Sequence, residues 1–124
     1  MTQAYDADLR IFHNPRCSKS REALALLQQR GLQPEVIEYL KTPPSLAQLQ
    51  ELQRQLKQPA REMLRSGEDV YRELGLADAS STDEQLLQAI AEHPVLLQRP
   101  IVVHKGCAVI ARPPELALQV LASG

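Results

Sequence analysis

No tryptophan occurs in this 124-residue chain, and it has three tyrosines and one phenylalanine. A core built from it must be aliphatic, chiefly Leu, Val, Ile and Ala. Its two cysteines, Cys17 and Cys107, are too few for a disulfide scaffold or a Cys-only metal site. A reducing, cytoplasmic setting is therefore the default expectation. Neither sign of charge dominates: the formal net charge is −1, which argues against a nucleic-acid partner. No apolar run approaches the ~20 residues of a membrane span. The opening "MTQAYDADLR" lacks the basic-then-apolar order of a secretory signal, so no membrane association is expected. His13, His93 and His104 have no acidic or cysteine partners at ligand spacing, so no metal and no tightly bound cofactor is expected.

What is present suits one domain, 1–124, with a real core: 44% of residues are hydrophobic. "LRIFHN" (Leu9 to Asn14), closed by Pro15, reads as a strand feeding a turn. From Ser18, apolar residues recur at near-helical spacing until Gly31, a good stop. "EVIEYL" (Glu35 to Leu40), between Pro34 and Pro43, reads as a second strand, and the crossover has the length of a βαβ unit. The middle is helical. Ser45 with Gln48 fits a capping box ahead of a stripe at Leu46, Leu49, Leu52 and Leu56. Arg61 to Leu76 reads as two short helices broken near Gly67 and stopped at Gly75. Ser81 with Glu84 suggests a second capping box for a helix ending before Pro94. "RPIVVHKGCAVIAR" (Arg99 to Arg112) reads as a hairpin turning at Gly106, and Pro113-Pro114 opens a last helix. The order β-α-β, helical insertion, β-β-α is that of an α/β, thioredoxin-like fold: a small mixed sheet with flanking helices.

Cys17 lies in "FHNPRCSKSREAL", between the first strand and the first helix, with His13, Arg16, Lys19 and Arg21 close by in sequence. A thiolate is the reactive form of cysteine, and helix N-termini and nearby cations favour it. The same free N–H groups can cradle an oxyanion. A buried, inert cysteine is the plainer alternative. The loop has no second cysteine at C-x-x-C spacing, so any disulfide step needs another thiol, and Cys107 reads as a core residue. His13 has two readings: it polarises the thiol, or it holds the shape of the loop.

The segment "HNPRCSKSREAL" resembles the "HNPxCGTSRNTL" loop of the glutaredoxin-coupled arsenate reductases. Three more segments match that family in order: "REMLRSGEDVYRELGL", "STDEQLLQAIAEHPVLLQRPIVV" and "AVIARPPE". The resemblance implies that Cys17 attacks arsenate and that His13 favours its thiolate. It also implies that Arg65, Arg99 and Arg112 surround the anion. Glutathione would serve as co-substrate, arsenite would leave, and glutaredoxin would clear the mixed disulfide. Arg99-Pro100 matches the position of the fold's cis-proline. The loop departs from the family pattern at Ser18, where the family has glycine, and at Lys19, where it has threonine.

Arginine chemistry agrees with this, because planar bidentate donors suit a tetrahedral oxyanion. Without the resemblance, Arg65, in a helical and charge-rich stretch, reads as a surface residue or half of a helix-face ion pair, while Arg99 and Arg112 flank β-runs, precede prolines and leave both readings open. The rival function is a non-catalytic regulator or thiol-based redox sensor on the same fold. The branch of regulators that bind RNA polymerase carries a Cys-x-x-Cys pair in this loop, which Cys17 and Ser20 do not supply.

Overall fold

The computed structural model describes residues 8–123. Among them the chain forms four β-strands and five α-helices. They fall into two compact units: one is built from the described residues of 1–42 and 99–124, the other from 43–98.

The first unit holds the sheet. Strand β1 (Leu9–His13) leads to helix α1 (Ser18–Gln29) and strand β2 (Glu35–Glu38); after the insertion come β3 (Ile101–His104), β4 (Cys107–Ile110) and α5 (Ala117–Ser123). The spatial order is β2-β1-β3-β4. β2 runs parallel to β1, β3 antiparallel to β1, and β4 antiparallel to β3. This is the thioredoxin-like arrangement expected from the order of elements. β1 alternates: Leu9, Ile11 and His13 are buried, and Arg10 between them is exposed. α1 presents Ser20, Ala23 and Leu27, three and four residues apart, as its buried face. Leu9, Ile11, Ala23, Leu27, Val102, Ala111, Ala117 and Val120 form one aliphatic core, each large member contributing about 1.5–3 kcal/mol.

α1 ends where Gly31 takes φ +79°. The Gly31 N–H donates to the Gln28 carbonyl and the Leu32 N–H to the Leu27 carbonyl, a Schellman closure that favours glycine at this position. β3 and β4 join through Lys105 and Gly106, both at positive φ, the handedness a tight hairpin needs. The Arg99–Pro100 peptide is cis, as the resemblance implied, and so is Arg112–Pro113.

The second unit is the helical insertion: α2 (Leu46–Leu56), α3 (Asp69–Glu73) and α4 (Asp83–Glu92), with 3-10 turns at Ala60–Met63 and Pro94–Leu96. The box at Ser45 and Gln48 forms as expected. The second box forms one residue later than the sequence suggests, with Thr82 and Gln85 in place of Ser81 and Glu84. The Ser81 N–H is already committed to the Asp78 carbonyl in the preceding turn. Starting at Thr82 also puts Asp83 and Glu84 in the first turn, against the positive end of the helix dipole. Of the two short helices expected over Arg61 to Leu76, the first is a 3-10 turn and the second is α3. The last helix opens with a 3-10 turn at Pro114–Leu116.

Candidate active site

The loop after β1 is set by local chemistry. Asn14 and Pro15 occupy the first two positions of a β-turn, which both residue types favour. The Cys17 N–H donates to the Asn14 carbonyl at 2.9 Å, and the Arg16 N–H to Asn14 Oδ1 at 3.0 Å. Cys17 is the N-cap of α1, with extended backbone (φ −95°, ψ 122°), and its carbonyl accepts the Arg21 N–H at 3.0 Å. The Arg21 guanidinium returns to the Pro15 carbonyl at 2.9 Å, so this cation braces the loop.

The Cys17 thiol is half-buried and not in a disulfide. It sits where a serine or aspartate would cap the helix, but closes no ordinary capping bond. Burial raises its pKa. The Ser20 N–H, the Arg99 guanidinium and the Lys19 N–H outweigh that, and the net effect is a lowered pKa. These donors favour the thiolate over the thiol.

His13, at the end of β1, is buried, and its Nδ1 lies 2.6 Å from Ser20 Oγ. Burial lowers its pKa and Arg21 adds to this, while Glu38, its parallel partner on β2, opposes them. The imidazole is therefore neutral near pH 7, and its contact is with Ser20. Ser20 Oγ also accepts the Asn14 N–H at 3.0 Å. Ser20, absent from the candidate residues read along the chain, belongs to this site. The signal was its place on the inward stripe with Ala23 and Leu27, three residues beyond the cysteine.

The sheet register brings two of the arginines to this end of the fold. Ile101 pairs with Phe12, so Arg99 precedes β3 at the end where β1 stops. Ile110 pairs with Ile101, so Arg112 follows β4 at the same end. The Arg112 guanidinium reaches the Arg99 carbonyl at 3.4 Å. Arg65 belongs to the helical unit, where its N–H donates to the Leu96 carbonyl and its guanidinium pairs with Glu68. Ser18 and Lys19 are exposed on the first turn of α1.

The sequence pattern of the ArsC family matches residues 12–120. The chain belongs to the ArsC family. This ArsC chain is 51% identical over 114 residues to the uncharacterized protein YfgD of Escherichia coli K12, covering 91% of itself and 96% of that protein. It is 50% identical over 109 residues to a Neisseria meningitidis serogroup A protein named arsenate reductase, covering 87% and 93%. Among solved structures, one described as arsenate reductase from Vibrio cholerae superposes with a TM-score of 0.89 at 49% identity, over 93% of this ArsC chain and 99% of that one.

Proposed function

We propose that this chain is an arsenate reductase, an oxidoreductase in which Cys17 is the nucleophile and glutathione and glutaredoxin supply the electrons. The observation that carries this reading is the Cys17 sulfur at the start of α1, with the Ser20 and Lys19 N–H groups and Arg99 favouring its charged form. The relatives named arsenate reductase, at about half identity over most of their length, support the same substrate.

The Cys17 thiolate attacks arsenic(V) and displaces an oxygen as water, forming a sulfur–arsenic bond. Glutathione attacks this adduct, arsenic accepts two electrons, and arsenite leaves. The electrons come from two thiol sulfurs, which end as a mixed disulfide that glutaredoxin reduces. In sum, arsenate and two thiols give arsenite, one disulfide and water.

Arg99 and Arg112 are the anion donors at the Cys17 end of the sheet, and their charge offsets the negative charge that builds up on the oxyanion. Arg65 is assigned as the third donor on the resemblance of "REMLR" to the family's segment. His13 takes part through the loop it holds. A reducing cytoplasm is the setting in which such thiol donors stay reduced. The relatives named arsenate reductase favour this reading over the regulator or redox sensor.

The test follows NADPH consumption through glutathione reductase, with arsenate, glutathione and glutaredoxin, for wild type and Cys17→Ser. Consumption that requires both arsenate and Cys17 is the expected result. Equal rates in both proteins would end the proposal.

A further inference from the structure

His13 and Ser20 are buried polar side chains, and they are bonded to each other. A buried imidazole and hydroxyl carry a desolvation cost that an apolar pair of similar size would avoid. Neither side chain forms or breaks a bond in the sulfur–arsenic chemistry proposed above. We propose that Ser20 is a positioning residue for the nucleophile: its hydroxyl, tied to His13 and Asn14, locks the first turn of α1 onto the end of β1, so that its own backbone N–H stays beside the Cys17 sulfur. This deepens the reading of Cys17 as nucleophile and rests on it.

Ser20 is the third residue of α1, and its N–H is one of the four that the helix itself leaves unpaired. That N–H leads the groups that favour the Cys17 thiolate. A backbone N–H cannot be deleted by substitution; it can only be misaimed, and such interactions weaken steeply as the angle closes. The aim is fixed from the other side of the residue. Ser20 Oγ accepts the Asn14 N–H at 3.0 Å, which leaves one proton and one lone pair. Neutral His13 Nδ1, at 2.6 Å, satisfies either of these, whichever tautomer it holds. Asn14 in turn accepts the N–H groups of Cys17 and Arg16. The seven residues from Asn14 to Ser20 thus form a loop whose two ends are tied through one hydroxyl. On this account His13 acts on the thiol through Ser20.

The experiment measures the pH midpoint of iodoacetamide alkylation of Cys17 in the folded full chain, in a Cys107→Ser background so that one thiol reports. Ser20→Ala and His13→Ala should each raise the midpoint by about one pH unit, because a misaimed N–H loses much of its bond to the charged sulfur. The double variant should match the single ones, because both break the same tie. His13→Asn, whose amide reaches the position of Nδ1, should restore most of the wild-type midpoint. A merely structural bond would lower the melting temperature and leave the midpoint where it was. An unchanged midpoint in Ser20→Ala overturns the proposal, and so do additive effects in the double variant. Should Ser20→Ala not fold, the comparison passes to His13→Ala and His13→Asn: separated midpoints support the proposal and equal ones overturn it. A wild-type midpoint near the ~8.5 of free cysteine would instead remove the nucleophile reading. A low wild-type midpoint that no variant moves leaves that reading standing and overturns this one alone.

Discussion

Cys107 and Cys17 stand at opposite ends of the sheet. Cys107 pairs with His104, and His104 pairs with Leu9, the first residue of β1. β1 then runs to His13 before the loop reaches Cys17, a rise of about 13 Å at about 3.3 Å per residue. A disulfide needs Cα atoms within about 7 Å, so the two thiols cannot meet in this fold. Cys107 packs against the aliphatic core.

On the mechanism proposed above, the thiol that resolves the Cys17 adduct is then not Cys107. Cys107→Ser should keep arsenate-dependent NADPH consumption near the wild-type rate, while Cys17→Ser loses it. Mass spectrometry of the oxidised, folded protein should find no intramolecular disulfide. A chain two hydrogens lighter, with both thiols blocked, would contradict the register argument.

Arg99 lies within electrostatic reach of the Cys17 sulfur and lowers its pKa. Arg99→Ala should raise the alkylation midpoint by about half to one pH unit, solvent screening reducing the full value of a charge-assisted contact. The sign follows from the lowered pKa: in wild type the thiolate persists to lower pH and disappears as pH falls through the folded-state value. An Arg99→Ala midpoint equal to wild type would place the effect entirely in the helix N–H groups.

Burial lowers the His13 pKa below its ordinary 6.5. Above that value the residue is neutral folded or unfolded and adds no pH dependence to stability. Between the unfolded and the lowered folded pKa, the unfolded chain binds more protons, so stability falls as pH drops through this window. Urea unfolding across the window should show that loss, and His13→Asn should flatten it. A slope unchanged in His13→Asn would assign the loss to other groups.

The N-cap of α4 is Thr82, through its bond from the Gln85 N–H at 3.1 Å. Thr82→Ala should cost about 1 kcal/mol, and Ser81→Ala no more than about 0.5 kcal/mol. Chemical denaturation of the two variants separates the adjacent frames, and the reverse ranking would favour the frame starting at Ser81.

Gly31 takes φ +79° with open space where a Cβ would stand. Gly31→Ala should therefore cost about 1 kcal/mol from backbone strain alone, read as a lower denaturation midpoint. A neutral result would mean the end of α1 tolerates another closure.

Much of this was legible along the chain. The apolar alternation of β1, the turn chemistry of Asn14 and Pro15, the stop at Gly31 and the box at Ser45 are local signals, and each element forms where its signal stands. Adjacent signals of equal strength were not separable: Ser81 and Thr82 both open an S/T-x-x-E/Q pattern, and hydrogen bonding in the preceding turn chose between them. His13 was visible as a residue near the thiol. Its partner was not, because a serine seven residues away carries no mark of contact until α1 packs on β1.

The sequence by itself determined the order of elements, the placing of Cys17 at a helix start and the family, since each rests on short-range pattern or on ordered segments. Tertiary structure alone decided that Arg99 and Arg112 join Cys17 at one end of the sheet and that Cys107 stands at the other. It also decided that His13 spends its hydrogen bond on Ser20. Strand register and helix packing bring together residues far apart in sequence, and no spacing along the chain records those pairings.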